Sequence, residues 1–499
     1  MTVNLPDCVR ARPRSRIVCT LGPSTESADS IRQLIEAGMS VARINTSHAT
    51  LDSHRRSIET VRDVSGSMGI PVGILADLPG PKYRLGQIPG GGIDIVESQT
   101  VFLNGDDTAG ASGSVPVHPA GLHRDVRVGD DILVNDGAIR LVATAVSGPA
   151  IECTVAIGGF MESRKAVAVP ARTSTLPYLT EDTENALEFA INEKVDFIGL
   201  SYIRSAEDIR AARSFVDDRS SGTQLIAKIE LREGLDNLEE IIEATDGVMV
   251  ARGDLGVELP LAQVPGAQKL IIRKANEVGK VVITATQMLE SMIVSPTPTR
   301  AEITDIYNAV VDGSDAIMLS AETSIGEHPV EAVKVMAEAA IEAEKSIDRH
   351  ALESRWEALE KSIDRAMAYT ACWTAADQGS KAIIAFTESG RTAARVSSFR
   401  PAAPILALYR DPSAGRRLSL RWGIIPIEVP AFSSIQWMFH EGSRIALETG
   451  YANEGDSVIL VAGMPIGASG NTNLVRVIVL PEPEPRFERE RFNDLLVQE

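Results

Sequence analysis

Eight polar residues stand at or just behind the ends of short apolar runs: Arg43, Asn45, Ser47, Asp77, Lys228, Glu230, Asp254 and Thr286. Cations, carboxylates and hydroxyls gathered at one surface suit the handling of an anionic substrate. Lys228 lies two residues before Glu230, so the two share one side of an extended chain. Glu230 and Asp254 follow consecutive runs and can share a cation. Two carboxylates suit Mg²⁺, with Mn²⁺ as the alternative, because the ion takes waters or phosphate oxygens at its other positions. A lysine beside such an ion holds charge that develops on a moving phosphoryl group. In Arg252-Gly253-Asp254-Leu255-Gly256 two glycines let the backbone approach an anion closely, although the same spacing also makes a plain turn. Any one of the eight, taken alone, reads as an ion-paired rim residue. Their convergence reads as a site.

The apolar runs must position these residues. They are Ile17–Thr20, Val41–Asn45, Val72–Asp77, Phe197–Ser201, Leu225–Lys228, Val248–Arg252, Val281–Thr284 and Ala316–Ser320. Continuous apolar runs suit parallel strands buried on both faces. Helical segments lie between most of them: Asp29 to Gly38, Thr183 to Glu193, Asn237 to Ala244 and Val264 to Gly279. Eight βα units predict an α/β fold of the (β/α)₈ barrel type, with an open doubly wound sheet as the alternative. In such a barrel, the ends of the strands carry the active site.

The third and fourth runs are far apart. Residues 87–171 between them alternate in the manner of strands, as at Val101-Phe102-Leu103 and Ile132-Leu133-Val134, and Asn135-Asp136-Gly137 is a hairpin-type turn. The segment predicts a small all-β domain inserted into a barrel loop at the catalytic end. The main barrel then comprises 1–86 and 172–345. Glu331 to Lys345 predicts a helix at the end of the main barrel, and residues 346–480 predict a C-terminal α/β domain, with a helix at Lys361 to Gln378 and strands at Ala382–Phe386, Ile405–Leu408, Val458–Val461 and Val475–Leu480. Residues 481–499 form a charged tail.

Composition narrows the function. Hydrophobic residues make up 44% and charged residues 23%, which fits a globular chain. The 49 Lys and Arg against 68 Asp and Glu leave a net charge of −19, which argues against nucleic-acid binding, and 4% aromatics argue against base stacking. Cys8, Cys19, Cys153 and Cys372 are far apart, so the reading is reduced thiols in the cytoplasm. No apolar run approaches a membrane span of ~20 residues. Arg10, Arg12, Arg14 and Arg16 lack a secretory apolar core and read as a frayed, solvated terminus, with a transit segment as the alternative.

Longer motifs add to this. They are Arg16-Ile17-Val18-Cys19-Thr20-Leu21-Gly22-Pro23, Ala42-Arg43-Ile44-Asn45-Thr46-Ser47-His48, Ala227-Lys228-Ile229-Glu230, Arg252 to Glu258, Thr284 to Met292, and Pro298-Thr299-Arg300-Ala301-Glu302. From about residue 14 to 480 the chain resembles the pyruvate kinase family. The resemblance implies a (β/α)₈ barrel with an inserted β-barrel lid over residues 87–171 and a C-terminal effector domain, and phosphoryl transfer from phosphoenolpyruvate to ADP, giving pyruvate and ATP, with Mg²⁺. It implies that Arg43 and Lys228 meet the transferred phosphoryl group, and that Lys228 also stabilises the enolate. Glu230 and Asp254 would ligate the metal. Gly253, Asp254 and Thr286 would hold the substrate carboxylate, with Thr286 near the route of enolate protonation. Asn45, His48, Arg84 and Lys165 would meet the nucleotide. Asn45, Ser47 and Asp77 match the family's monovalent-cation ligands.

The chain also departs from the family pattern. Leu78 and Leu85 stand where Thr is usual, Lys82 where Glu is usual, Thr46 for Phe, Thr297 for Arg and Ala321 for Gly. Lys82 is expected to supply covalently the charge that K⁺ brings to Asn45, Ser47 and Asp77, so K⁺ is expected to be dispensable. The loop Thr387-Glu388-Ser389-Gly390-Arg391-Thr392 is expected to hold a sugar-phosphate or nucleotide effector, with Ser469 to Asn473 as a second wall. A homotetramer is expected. Two other functions fit the same residues: a catalytically silent sugar-phosphate sensor, and another metal-dependent lyase or aldolase acting on phosphoenolpyruvate or pyruvate.

Overall fold

The computed structural model describes residues 5–47, 49–106, 114–135, 137–170, 172–219, 222–347, 362–430, 434–465 and 471–481. His48, Asp136 of the predicted turn, Lys361, Ser469, Gly470 and the tail beyond 481 lie outside them.

All eight apolar runs become strands of one closed parallel barrel. In chain order they are Arg16–Thr20, Met39–Asn45, Gly73–Leu78, Phe197–Leu200, Gln224–Ile229, Gly247–Ala251, Val281–Ala285 and Ala316–Leu319, each beside its neighbours in sequence. The strands read as unbroken apolar runs because both faces are covered. Ile17 and Cys19 pack outward under the helices, whereas Val18, Val41, Leu75, Phe197, Ile226 and Met249 fill the interior. The helices carry ordinary stop and start signals. Gly38 ends Ala28–Ala37 at φ 134°, and Thr299 with Glu302 forms a reciprocal capping box on Arg300–Asp312.

A second closed barrel is inserted between the third and fourth strands. Its seven strands are Tyr83–Leu85, Thr100–Asn104, Ser114–His118, Asp131–Val134, Ile139–Ser147, Ala150–Ile157 and Ala166–Ala168. Tyr83–Leu85 already pairs in it, so the small barrel starts a few residues ahead of the alternating segment that announced it.

The C-terminal domain is a five-stranded sheet in the order Ile424–Glu428, Ile405–Tyr409, Ile383–Phe386, Ser457–Gly463, Thr472–Val479, with only the last strand antiparallel. It closes the bottom of the main barrel. Leu420, fully buried, joins the barrel's interior cluster. Beside it the Gly73 N–H donates to Ser419 Oγ at 3.0 Å, and a Cβ on Gly73 would meet that oxygen at 2.7 Å. Buried Asp196 of the barrel pairs with Arg416 of the C-terminal domain and with Arg62, each at 2.9 Å.

Arg10 is exposed, but the other three N-terminal arginines do not fray. Arg12 donates to the Ile35 carbonyl at 2.7 Å, Arg14 reaches the Ala402 carbonyl, and Arg16 donates to the Arg421 carbonyl at 2.8 Å. Guanidinium donors satisfy buried carbonyls where the barrel meets the C-terminal domain, which gives this basic stretch a structural use. Among the described residues no helix is long and apolar enough to cross a membrane. All four cysteines are free.

Candidate active site

The ends of the barrel strands bring most of the eight polar residues into one connected network. At its centre is Lys228, on the strand Gln224–Ile229 and 9% exposed. Its Nζ lies 3.0 Å from Asp77 Oδ1, 2.8 Å from Glu230 Oε1 and 2.7 Å from Ser201 Oγ. The two-residue spacing puts Lys228 and Glu230 on the same side, as extended geometry requires. Asp77 Oδ2 accepts from Arg43 Nε at 2.8 Å and faces Arg43 Nη2 at 2.7 Å. Arg43 Nη1 in turn donates to Thr20 Oγ1 at 2.9 Å.

The electrostatics follow from burial and pairing. Burial alone would raise the Asp77 carboxyl, but Lys228 and then Arg43 outweigh it and hold it below its ordinary value. Burial works against the Lys228 ammonium, and Asp77 with Glu230 more than compensates, so it stays charged. Glu230 differs. Burial pushes it up to about 7 against the pull of Lys228, and the charge of Asp254 adds to the rise. Two carboxylates that repel one another in a closed site are stabilised by a cation.

Tyr202 ties those two carboxylates together. Its N–H donates to Glu230 Oε2 at 2.6 Å and its hydroxyl donates to Asp254 Oδ1 at 2.8 Å. The residue sits at φ 57°, a left-handed conformation uncommon for a bulky side chain. Gly80 approaches so closely behind it that a Cβ there would lie 2.6 Å from the Ser201 carbonyl. Neither Ser201 nor Tyr202 was among the residues singled out in the sequence. The only signal was that Ser201 ends the fourth apolar run, as Asp77 ends the third.

Glu230 and Asp254 line one narrow space with Tyr202 and Lys82. Among the described residues no cluster of three or more His, Cys, Asp or Glu side chains could hold a metal. A pair of carboxylates without a thiol or imidazole fits a hard ion such as Mg²⁺, which completes its shell with water and substrate oxygens, and fits Zn²⁺ poorly.

Thr286 lies beyond Val281–Ala285 at φ 68°. Its Oγ1 accepts the Gly253 N–H at 2.8 Å and donates to the Ala285 carbonyl at 2.6 Å. Two of the three groups expected at the substrate carboxylate, Gly253 and Thr286, therefore already touch. Arg252 clamps the same turn through the Thr286 carbonyl at 2.6 Å and Asp305 at 2.6 Å. Part of the long motif is bracing of this kind: Glu302 accepts from Ser291 N–H and Oγ, and buried Glu322 from Leu289 N–H.

Lys82 goes elsewhere than expected. Among the described residues no hydrogen bond or ion pair joins it to Asn45, Ser47 or Asp77. Its ammonium faces Asp254 Oδ1 at 3.4 Å, contacts the Tyr202 hydroxyl, and lies 4.8 Å from the centre of that ring. The aromatic ring and the carboxylate together attract the ammonium. Asn45, Ser47 and Asp77 themselves are adjacent: Asn45 pairs in register with Asp77, and Asn45 Oδ1 accepts from Ser47 N–H at 3.2 Å.

Arg84 and Lys165 sit together on the inserted barrel. Arg84 pairs in register with Ala166, and Lys165 forms an exposed ion pair with Glu162 at 3.1 Å. Between the inserted barrel and the mouth a cavity of about 320 Å³ opens beside the carboxylates, lined by Lys82, Tyr202, Arg172 and Arg204 among others.

The expected effector loop is split. Thr387 and Thr392 are buried, and the Thr392 and Thr472 hydroxyls are hydrogen-bonded to one another at 3.0 Å. Glu388 is neutralised by Arg410 at 3.2 Å. Ser389, Gly390 and Arg391 face the seam between the barrel and the C-terminal domain instead.

Comparison with known proteins agrees with this architecture. Residues 12–333 match the family model described as pyruvate kinase, barrel domain, and residues 365–478 match pyruvate kinase, alpha/beta domain. The chain is 41% identical over 473 residues to a pyruvate kinase of Geobacillus stearothermophilus, covering 94% of this chain and 81% of the relative. It is 39% identical over 471 residues to that of Clostridium acetobutylicum, covering 94% and 99%. A crystal structure of a pyruvate kinase from Cryptosporidium parvum superposes with a TM-score of 0.89 at 33% identity, covering 96% of this chain and 98% of that one. With both domains matched and relatives that align along nearly the whole chain, the chain belongs to the pyruvate kinase family of phosphotransferases.

Proposed function

We propose that the chain transfers the phosphoryl group of phosphoenolpyruvate to ADP. The P–O bond to the enol oxygen breaks, a bond to the terminal phosphate oxygen of ADP forms, and the enolate takes a proton at carbon to give pyruvate. The observation that carries this reading is the buried Lys228 ammonium held between Asp77 and Glu230, next to Asp254. It is a fixed positive charge in a site of low dielectric, aimed where phosphoryl and enolate oxygens gain negative charge. Arg43, fixed by Asp77 and Thr20, presents a second cation to the phosphoryl group. Gly253 and Thr286 hold the substrate carboxylate. Mg²⁺ or Mn²⁺ on Glu230 and Asp254 would supply further positive charge for the substrate oxygens. Arg84 and Lys165 would meet the nucleotide phosphates as the inserted barrel closes over the mouth and excludes water. A coupled assay of pyruvate release tests the reading. Release is expected only with ADP. Release without ADP would rule out the nucleotide as the phosphoryl acceptor, and no release would make the protein a silent sensor.

We infer further that turnover needs no K⁺. The position of Lys82 alters the reason. Both oxygens of Asp77 are already matched by Lys228 and Arg43, which leaves little charge to attract a second cation. Lys82 adds a fixed charge at Asp254, still inside the mouth. Initial rates with K⁺ replaced by a tetraalkylammonium salt at constant ionic strength are expected to stay within twofold. A tenfold fall would refute the inference. The same reading places the enzyme in the cytoplasm as a homotetramer, a mass that light scattering reads directly.

A further inference from the structure

Glu230 and Asp254 carry four carboxylate oxygens between them, and three are already taken. Glu230 Oε1 faces Lys228 Nζ at 2.8 Å, and Glu230 Oε2 accepts the Tyr202 N–H at 2.6 Å. Asp254 Oδ1 accepts from the Tyr202 hydroxyl at 2.8 Å and faces Lys82 Nζ at 3.4 Å. Of the four, only Asp254 Oδ2 has no hydrogen bond or ion pair among the described residues.

Tyr202 supplies two of these donors, one from its main chain and one from its side chain. A single residue therefore sets where both carboxylates sit. It is itself held from several sides. Its backbone is in the left-handed region, at φ 57°. The main chain of Gly80 packs against the ring, where a Cβ would lie 2.7 Å from Tyr202 Cδ2. The Lys82 ammonium contacts the hydroxyl oxygen. An ammonium only donates, so the single proton of the hydroxyl goes to Asp254. The polarity of the chain from Lys82 through Tyr202 to Asp254 is thereby fixed, and Oδ1 is the oxygen that accepts.

We propose that Tyr202 is a positioning residue that makes the site select a small octahedral divalent ion over a larger one. The proposal rests on the reading of Glu230 and Asp254 as the metal's ligands. With Oδ1 held, Asp254 offers one oxygen, Oδ2. That suits Mg²⁺ or Mn²⁺, which take single carboxylate oxygens and complete an octahedron with water. It penalises Ca²⁺, which takes about 6–8 oxygens and gains from a carboxylate that binds through both. The charge of Lys82 gives no such discrimination, because it repels every divalent ion alike. The Tyr202 hydroxyl does, because it occupies one particular oxygen. Losing a hydrogen-bond partner of a ligand typically changes metal affinity by about 10–100-fold.

The experiment uses the full chain without phosphoenolpyruvate or nucleotide. Mn²⁺ is titrated by electron paramagnetic resonance into the wild type, Tyr202→Phe, Lys82→Met and Asp254→Asn, and Ca²⁺ is then added to displace it. Tyr202→Phe keeps the ring and the N–H to Glu230 and removes only the hydroxyl, and Tyr202 is half-buried, so the fold stays intact. The preference for Mn²⁺ over Ca²⁺ is expected to fall at least tenfold in Tyr202→Phe, with a changed spectrum of the bound Mn²⁺. In Lys82→Met both ions are expected to bind more tightly while the preference stays within threefold. A smaller change of preference in Tyr202→Phe, while Asp254→Asn loses Mn²⁺, would overturn the proposal and leave the metal ligands standing. Mn²⁺ binding unaffected in Asp254→Asn would overturn both. A preference that falls as far in Lys82→Met as in Tyr202→Phe would assign the selection to charge and overturn the role of the hydroxyl.

Discussion

Lys228→Ala is expected to lower kcat at least 100-fold while the protein stays folded. Losing one preorganised charge from a transition state typically costs about 3–4 kcal/mol. Lys228 is worth at least that, because it is buried and its three partners aim it at a single point. The cost to the fold is the opposing concern, since removing one member of a buried ion pair strands the others. Here the stranding is limited. Asp77 keeps Arg43 at 2.7 Å, and Glu230, already pushed up to about 7 by burial, can take up a proton. Lys228→Arg is not expected to restore the rate, because a planar fork does not reproduce a point charge held by three acceptors. Steady-state rates alongside circular dichroism and thermal melting check both halves. Near-wild-type kcat in Lys228→Ala would remove Lys228 from the chemistry.

The barrel was legible because parallel strands covered on both faces leave unbroken apolar runs, and the eight runs correspond to eight strands. The edge strand Ile424–Glu428 was not read. Pro426 lies within it, and proline is tolerated at an edge while weakening the sequence signal for a strand. Lys228 and Glu230 were legible because their relation is local, two residues along one strand. The destination of Lys82 was not, because four rotatable bonds let its ammonium choose between Asp77 and Asp254. The choice depends on the Tyr202 ring, 120 residues away in sequence. The N-terminal arginines misled for a related reason. Composition marks them as solvated, whereas their partners are main-chain carbonyls that no side-chain pattern reveals.

Asp254→Asn is expected to weaken Mn²⁺ binding at least 100-fold, with a matching loss of activity at limiting metal. The substitution keeps an oxygen to accept from the Tyr202 hydroxyl and removes only the charge. A unit charge and a divalent ion ~4 Å apart at an effective dielectric of about 20 interact by roughly 8 kcal/mol, twice the value for two unit charges. Water and substrate oxygens recover part of this, so a net loss of about 3 kcal/mol is a conservative figure, and ~1.4 kcal/mol is tenfold in affinity. The neighbour makes the loss worse. Lys82 now faces Asp254 at 3.4 Å, and without that carboxylate its ammonium would repel an incoming cation. The double variant Lys82→Met, Asp254→Asn should therefore bind Mn²⁺ more tightly than Asp254→Asn alone. Titration of Mn²⁺ followed by electron paramagnetic resonance measures all three proteins without turnover. A Kd for Asp254→Asn within threefold of wild type would show that Asp254 does not hold the metal. A double variant no tighter than the single one would show that the Lys82 charge does not reach it.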